Sequence, residues 1–371
     1  MKSRIGVDVS CLVGNITGIG RYTYEILSRM HQDDNFEWFL FSNVQSDCYD
    51  LFPKNLKLII PKWHKFIPRA VWGQTILPIY AFIYKVDLFW APAHRLPLLL
   101  PRKIRTCVTI HDMVWKFYPE TMRFFGRYLD QILMPRSISR ADLILSVSFN
   151  TAYDICKLFP DVNFKVTTIH LGSGLVDSHA PTPLIFDNPN INAFFLFVGT
   201  LEPRKNLNRL LKAYALLDAN LKKAAHFVIV GGHGWGNINL VGLISDLHLK
   251  DYVHILGYVS QNELESLYSH SLFLAIPSLY EGFGLPITEA MKYGTPILCS
   301  NVSSMPEIAG NAAILVNPFD INSIHSGLVK LIHNPIFREE LGRIALVQSS
   351  LFSWDKASQM TLHALNRVAL L

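Results

Sequence analysis

Short apolar runs alternate with amphipathic stretches along almost the whole chain. This alternation predicts βαβ units and mostly parallel sheets. In the first half, the predicted strands are Ile5–Val9, Trp38–Ser42, Leu56–Ile60, Leu88–Ala91, Cys107–Ile110, Leu143–Val147 and Val166–His170. In the second half, they are Phe194–Gly199, His226–Gly231, Val253–Gly257, Leu272–Ile276, Pro296–Cys299 and Ala313–Val316.

Amphipathic stretches between these runs predict the helices. They lie at Gly20–Met30, Met122–Ile138, Asn150–Leu158, Asn206–Leu217, Asn262–Ser269, Ile287–Tyr293, Ile321–His333 and from Trp354 to about Leu370. Prolines and asparagines concentrate between Asp177 and Asn190, which indicates a linker. We therefore expect an α/β protein with one Rossmann-like domain over residues 1–178, a second over 191–350 and a terminal helix within 351–371.

Composition supports two folded domains and restricts the partners. The chain has 371 residues, half of them apolar and 17% charged, so long disordered stretches are not expected. The net charge of +5 permits an anionic partner, but no nucleic-acid recognition module is visible. The five scattered cysteines lack C-x-x-C spacing, which favours a reducing cytoplasm and disfavours a disulfide framework or a zinc site.

The segment from Pro277 to Met291 contains the most specific chemical pattern. A buried strand pattern runs into a loop with Gly282 and Gly284, and a helix is expected to begin at Pro286. Glycines let backbone N–H groups approach a ligand, and a helix N-terminus attracts phosphate. Glu281 in the loop, and Glu289 in the expected first helical turn, can accept hydrogen bonds from hydroxyls. The segment therefore suits a ligand that carries both phosphate and sugar.

A second candidate site follows the strand Phe194–Gly199. Arg204 and Lys205 lie directly ahead of a predicted helix. Arginine can bind phosphate through two hydrogen bonds, and lysine acts as a point charge. Such a pair can stabilise the charge that a departing nucleoside diphosphate gains. The alternative is a solvent-exposed basic turn.

The string from Ser278 to Met291 resembles the Glu-x7-Glu signature of family-four glycosyltransferases, which use nucleotide sugars, retain the anomeric configuration and have the GT-B fold. Gly294-Thr295-Pro296 and Pro306-Glu307 extend the resemblance. It implies two Rossmann-like domains facing a central cleft, with the terminal helix packing back across both. From the pattern alone, a helix that belongs only to the second domain is the alternative.

The resemblance also implies roles for individual residues. Glu289 is expected to bind the ribose and Glu281 the donor sugar, while backbone N–H groups of Phe283, Gly284 and Leu285 meet the sugar or phosphate. Arg204 and Lys205 match the family's phosphate-binding string, although Thr200 stands where many relatives have arginine.

In the first half, two further motifs match the family. Gly18 and Gly20 resemble its glycine-rich loop, which reaches the diphosphate or the acceptor. His111 matches its histidine beside the donor sugar, and Asp112 is expected to orient that histidine. A lone His-Asp pair can equally be structural. A dinucleotide dehydrogenase is disfavoured, because Thr23 occupies the third position that a Gly-x-Gly-x-x-Gly motif requires.

The resemblance implies transfer of a sugar, with mannose from GDP-mannose as the best candidate, to a polyprenyl-diphosphate-linked or oligosaccharide acceptor. It implies no metal and no cofactor. Alternatives are another GT-B enzyme, such as a nucleotide-sugar epimerase or a phosphorylase, or a sugar-nucleotide-binding protein without catalysis. Two basic, aromatic stretches, Lys62–Arg69 and Arg123–Arg140, suit the anionic cytoplasmic face of a membrane or are ordinary solvated helix faces. Ala70–Tyr84 is uncharged but shorter than the roughly 20 residues that a membrane span needs.

Overall fold

The computed structural model of the protein describes residues 2–13, 18–30, 35–53, 55–61, 67–173, 193–232, 234–236 and 239–370. Its contacts divide the chain into two compact units. The first unit contains Met1–Phe117, Phe124–Gly172 and Ser353–Leu371, and the second contains Tyr118–Arg123 and Ser173–Phe352.

The first part of the chain forms seven strands and six helices within the described residues. They are β1 (Ser3–Asp8), α1 (Ile19–Arg29), β2 (Phe36–Phe41), β3 (Leu56–Ile59), α2 (Arg69–Val71), α3 (Leu77–Ile83), β4 (Leu88–Ala91), β5 (Arg105–Ile110), α4 (Val114–Phe117), α5 (Phe124–Arg140), β6 (Leu143–Ser146), α6 (Phe149–Leu158) and β7 (Val166–Thr168).

The rest of the described chain continues the alternation. The elements are β8 (Phe194–Val198), α7 (Leu207–Ala215), α8 (Ala219–Ala224), β9 (His226–Val230), α9 (Leu240–Asp246), β10 (Val253–Gly257), α10 (Gln261–His270), β11 (Leu274–Ile276), α11 (Leu285–Lys292), β12 (Ile297–Ser300), α12 (Met305–Ala309), β13 (Ala313–Val316), α13 (Ile321–His333), α14 (Pro335–Ser349) and α15 (Trp354–Ala369).

Each unit is built on one parallel sheet. The first sheet has the strand order β3-β2-β1-β4-β5-β6-β7, and the second has the order β10-β9-β8-β11-β12-β13. Parallel strands bury both faces, which explains their continuous apolar sequences. In each sheet the strand order reverses beside the unit's first strand, between β1 and β4 and between β8 and β11. Open α/β sheets bind ligands at the carboxyl ends of such strands.

Aromatic side chains form much of the core beneath the second sheet. The Phe195 ring stacks on Phe227 at 4.4 Å and on Phe273 at 5.0 Å between centroids. Tyr214 of α7 meets the edges of Phe195 and Phe227. The core thus fixes β8 relative to β9 and to the residue before β11.

The terminal helix α15 belongs to the first unit. Asp355 accepts a hydrogen bond from Nε of Arg29 at 2.9 Å, and Ser358 Oγ donates to the carbonyl of Ile26 at 3.2 Å. Both partners lie on α1. The prediction of a helix here is confirmed, and the alternative that it belongs only to the second domain is wrong.

The predicted strands are confirmed to within one or two residues, as are the helices α1, α5, α6, α7, α10, α11 and α13. Among the described residues, no helix is both long and apolar enough to cross a membrane. The uncharged stretch Ala70–Tyr84 folds into short helical segments that end at Ile83.

Candidate active site

The candidate residues of the second unit lie on the loops that follow β8 and β11. These strands are neighbours at the point where the strand order reverses. Gly199 directly follows β8 and has φ +154°. A Cβ on Gly199 would lie 3.5 Å from Cε of Lys205, which is ordinary van der Waals contact. Pro203–Lys205 then form one tight turn ahead of α7.

Asn206 holds three of these loops together. Its backbone is left-handed, with φ +63°, a conformation that asparagine adopts more readily than most residues. Its Nδ2 donates to the carbonyl of Pro277 at 2.9 Å and to that of Pro318 at 2.8 Å. The loops after β8, β11 and β13 are therefore tied at one buried amide.

Glu281 lies between the two predicted cations. Its Oε1 accepts from Lys205 Nζ at 2.6 Å and from Ser278 Oγ at 2.7 Å, and its Oε2 accepts from Arg204 Nη1 at 2.8 Å. Burial alone would raise the pKa of this carboxyl. The charges of Arg204 and Lys205 outweigh burial and hold the pKa well below its ordinary value. Glu281 is therefore an anion that neutralises cations as well as a possible hydroxyl acceptor.

The loop after Glu281 leads into α11 through a left-handed glycine. Gly284 has φ +101° and precedes the first helical residue, Leu285. The expectation that the helix begins at Pro286 is therefore wrong by one residue, with Pro286 in the second position. Ser304 Oγ donates to the carbonyls of Glu281 at 2.9 Å and Phe283 at 3.0 Å, which fixes the loop. Among the described residues, no side chain caps this N-terminus.

Glu289 lies in the second turn of α11, because the helix begins at Leu285. The expectation that it lies in the first turn is therefore wrong. Its Oε2 accepts from the Tyr268 hydroxyl of α10 at 2.7 Å, and both side chains are buried. The carboxylate is thus oriented by a neighbouring helix.

In the first unit, His111 follows β5 and is buried. Its Nε2 lies 2.7 Å from the carbonyl of Pro92, which can only accept, so Nε2 carries the proton. Burial lowers the pKa of His111 to about 3, so the ring is neutral near pH 7. Asp112 instead accepts from the backbone N–H of Val114 at 3.2 Å. The expectation that Asp112 orients His111 is therefore wrong.

His94 is a second imidazole beside His111, at 5.2 Å between ring centroids; the residue is half-buried and its Nδ1 is buried. It follows β4, the neighbour of β5, and has a left-handed backbone with φ +65°. Its backbone N–H donates to the carbonyl of Thr109 at 3.1 Å. Burial lowers the pKa of His94 to about 3 as well. This pair of neutral imidazoles lies at the carboxyl ends of two adjacent strands.

The glycines of the first unit lie at the start of α1. Gly18 is the residue before the helix, with φ +42°, and Gly20 is the second helical residue. No atom lies within 4 Å of the position of a Cβ on Gly18. Gly18 thus provides an open backbone turn, whereas Gly20 is buried within the helix.

Sequence reasoning missed Glu202, Asn206, Tyr268 and His94 as parts of these two clusters. Asn206 directly follows Lys205, and His94 lies three residues after the predicted strand Leu88–Ala91, so both had a positional signal. Tyr268 had none, because its contact with Glu289 depends on how two helices pack.

The basic, aromatic stretches are described only in part. Lys62, Trp63, His64, Lys65 and Phe66 lie outside the described residues. On α5, Phe124 and Phe125 are 75% and 81% exposed, and Tyr128 is also exposed. Across the described chain, no three His, Cys, Asp or Glu side chains are grouped as a metal site would require.

Comparisons with solved structures agree with this fold. Sucrose-phosphate synthase from Thermosynechococcus elongatus superposes with a TM-score of 0.76 at 17% identity, covering 99% of each chain. WaaG, a glycosyltransferase of lipopolysaccharide biosynthesis, superposes with a TM-score of 0.72 at 16% identity, covering 98% of this chain and 99% of WaaG. At these identities the likeness defines the fold, which is GT-B.

Curated relatives extend the likeness to sequence. O-antigen chain mannosyltransferase B of Escherichia coli is 29% identical, over 94% of this chain and 96% of the relative. O-antigen chain mannosyltransferase RfbU of Salmonella typhimurium is 26% identical, over 87% of this chain and 89% of the relative. The protein is a GT-B glycosyltransferase. Residues 185–347 match the model of the family described as glycosyl transferases group 1.

Proposed function

We propose that this glycosyltransferase moves mannose from GDP-mannose to a hydroxyl of a growing polysaccharide or lipid-linked oligosaccharide. The observation that carries the proposal is the buried contact of Lys205 and Glu281 at the carboxyl ends of β8 and β11, beside the open N-terminus of α11. The names of the two O-antigen relatives support mannose as the sugar.

Lys205 is the proposed phosphate-binding cation. Its ammonium has three donors, and one of them goes to Glu281. The remaining donors and the N-terminus of α11 suit the diphosphate, on which negative charge develops as the sugar leaves. Glu289, oriented by Tyr268, is the proposed ribose acceptor.

His111 is the proposed contact with the donor sugar. Because Nε2–H is directed to Pro92, the neutral ring offers Nδ1 as an acceptor for a hydroxyl. The neutral His111 ring carries no positive charge, so it does not attract the departing diphosphate. Gly18 is the proposed point at which the first domain, the acceptor side, meets a phosphate or the acceptor.

The proposed reaction retains the anomeric configuration. The bond between the anomeric carbon and the phosphate oxygen breaks, and the acceptor oxygen bonds to the same face of the sugar. The acceptor's proton passes to the leaving diphosphate. The nucleoside diphosphate and a mannosylated acceptor are the products.

The direct test incubates the protein with a panel of sugar nucleotides and measures nucleoside diphosphate release with and without a polyprenyl-diphosphate-linked acceptor. GDP release from GDP-mannose that requires the acceptor supports the proposal, and an α-linked product by NMR supports retention. Binding without any release favours a non-catalytic sugar-nucleotide-binding protein. Release from another donor overturns the choice of mannose alone.

We further propose peripheral binding to the anionic cytoplasmic face of a membrane through the first domain. The support is the exposed aromatic start of α5 together with Ile79, Phe82 and Ile83 of α3, which are 54–60% exposed. Aromatic side chains suit the lipid headgroup region, and nearby basic residues add about 1 kcal/mol each at an anionic surface.

Co-sedimentation with anionic and neutral vesicles at two salt concentrations tests this second proposal. Binding should be selective for anionic lipid and should weaken as salt rises, because exposed charges are screened within about 10 Å at 0.1 M. The double change Phe124→Ser and Phe125→Ser should reduce it, whereas Phe164→Ser, at a residue 87% exposed elsewhere in the unit, should not. Binding that is indifferent to lipid charge and to these changes would contradict it.

A further inference from the structure

We propose that Glu202 and Arg204 are positioning residues: they fix the carboxylate of Glu281, which in turn holds the Lys205 ammonium where the donor's distal phosphate binds. The inference rests on the proposed function. It assigns Arg204 a different task from direct phosphate binding, and it adds Glu202 to the site.

The guanidinium of Arg204 already makes three hydrogen bonds to protein acceptors. Nη1 donates to the carbonyl of Tyr280 at 2.6 Å and to Glu281 Oε2 at 2.8 Å, and Nη2 donates to Glu202 Oε1 at 2.5 Å. The side chain is 15% exposed. A group held by three acceptors in a fixed fork suits orienting a neighbour better than adapting to a ligand.

Glu202 contacts Arg204 but is too deeply buried to contact a ligand. Its side chain is 3% exposed, and its carboxylate contacts the Arg204 guanidinium. The backbone joins the same arrangement, because the carbonyl of Arg204 accepts from the N–H of Leu279 at 2.8 Å. The turn after β8 and the loop after β11 are thus joined on both sides of Arg204.

The Lys205 ammonium has donors to spare. Within the described residues, Glu281 Oε1 is the acceptor recorded for its ammonium, at 2.6 Å, although an ammonium has three N–H groups. Ser278 shares that oxygen at 2.7 Å and so fixes its direction. The chain of contacts from Glu202 through Arg204 and Glu281 ends at the Lys205 ammonium, whose contact with Glu281 uses one of its three N–H groups.

Glu202 and Glu281 balance the charges of Arg204 and Lys205. The cluster therefore acts on a ligand through the position of the Lys205 ammonium and not through net charge. Contacting residues in one ion-pair network show coupled mutational effects, whereas independent sites show additive ones. If Glu202 and Arg204 act through Lys205, changing them should have no further effect once Lys205 is gone. If Arg204 binds phosphate itself, its effect should persist.

The experiment uses variants that keep charge and change geometry. Glu202→Asp shortens the carboxylate, Arg204→Lys removes the fork, and Ser278→Ala removes a neutral donor to Glu281. Each is made alone and together with Lys205→Ala in the full chain. Isothermal titration with GDP and GMP gives the ratio of the two affinities, which reports the contribution of the distal phosphate. Glu339→Asp, which alters an exposed ion pair with Arg343 in the same unit, is the matched control.

We expect each single variant to reduce the GDP-to-GMP affinity ratio by about tenfold, and to change it less than twofold when Lys205 is already alanine. The control should leave the ratio unchanged. Unchanged ratios in the single variants, or equal losses with and without Lys205, would overturn the inference while the proposed function stands. A wild-type protein that binds no nucleoside diphosphate would overturn both. Thermal unfolding verifies that each variant folds, and Ser278→Ala carries the test if a charged variant does not.

Discussion

The Tyr268 hydroxyl donates a hydrogen bond to Glu289 Oε2 at 2.7 Å, across two helices that follow different strands of the second sheet. Tyr268 is itself held by Thr295, whose Oγ1 donates to its carbonyl at 2.7 Å. One carboxylate oxygen of Glu289 is thereby oriented before any ligand arrives.

Glu289→Gln should weaken binding of the nucleoside portion of the donor by about tenfold, because hydrogen bonds to a charged group contribute about 1.5–3 kcal/mol. Tyr268→Phe should weaken it less, since it removes the orienting contact and leaves the acceptor. Isothermal titration with guanosine measures both. Glu281→Gln is the comparison and should leave guanosine affinity unchanged; equal losses at Glu281 and Glu289 would refute the ribose assignment.

Lys205→Ala should lower kcat by about 100- to 1,000-fold, the scale for losing one preorganised donor to developing charge. The variant also removes one of the two cations that pair with the buried Glu281 carboxylate, so its fold is verified by circular dichroism. Lys212→Ala on α7 serves as a control and should turn over as the wild type does. An unchanged kcat in Lys205→Ala would contradict the assignment of Lys205 as the phosphate-binding cation.

Acid should destabilise the first domain through His94 and His111. Burial lowers the pKa of both imidazoles to about 3, whereas an unfolded histidine titrates near 6.5. Between these values the unfolded chain binds more protons, so the free energy of unfolding falls as pH falls below about 6.5. Above about pH 6.5 the imidazoles are neutral in both the folded and the unfolded chain, so the domain keeps its full stability there.

His94→Asn should reduce the slope of the unfolding free energy against pH by about 1.4 kcal/mol per pH unit between about pH 6 and 4. This is the slope that the uptake of one proton on unfolding produces. Asparagine tolerates the left-handed backbone at this position, so the change removes the titrating group without adding strain. Urea unfolding of wild type and variant at matched pH values measures the difference. Parallel curves would show that His94 is not neutral in the folded protein.

Gly231→Ala should destabilise the second domain by about 3 kcal/mol, the upper range for an overpacked core. A Cβ there would lie 1.9 Å from the carbonyl oxygen of Gly199, where the ends of β8 and β9 approach, and the backbone has φ +150°. Gly232→Ala is the matched control, because nothing lies within 4 Å of its Cβ position. Similar stabilities for the two variants by urea unfolding would contradict the steric argument.

Activity should be insensitive to EDTA, because the proposed mechanism assigns charge stabilisation to Lys205 and the N-terminus of α11. Nucleoside diphosphate release with and without EDTA, then with added Mg²⁺ or Mn²⁺, measures this. Loss on chelation that a divalent cation restores would contradict that assignment.

The strands could be predicted from the sequence alone, because a parallel sheet buries both faces of its strands. Such strands are continuous apolar runs, as in Phe194–Val198. It did not reveal α14, whose buried stripe includes the small or polar residues Gly342 and Ser349. A Cβ on Gly342 would lie 2.5 Å from the carbonyl oxygen of Gly294, so close helix packing, and not hydrophobicity, selects this residue.

The site was predictable as a set of residues but not as a set of contacts. Spacing and resemblance identified Lys205, Arg204 and Glu281. They did not show that Glu281 pairs with both cations, because those partners are 76 and 77 residues away and meet only when β8 and β11 become neighbours. The same holds for His111, whose ring is oriented by the carbonyl of Pro92 and not by the adjacent Asp112.

The position of α15 in the first unit has a consequence for synthesis of the chain. Asp355 and Ser358 are translated 326 and 332 residues after Arg29 and Ile26, their partners on α1. About 180 residues separate the Gly172 and Ser353 ends of the first unit, and their translation takes about 10–40 s at about 5–20 residues per second. During that interval the α1 surface lacks its native cover, so the first domain is completed only after the intervening second domain has been translated.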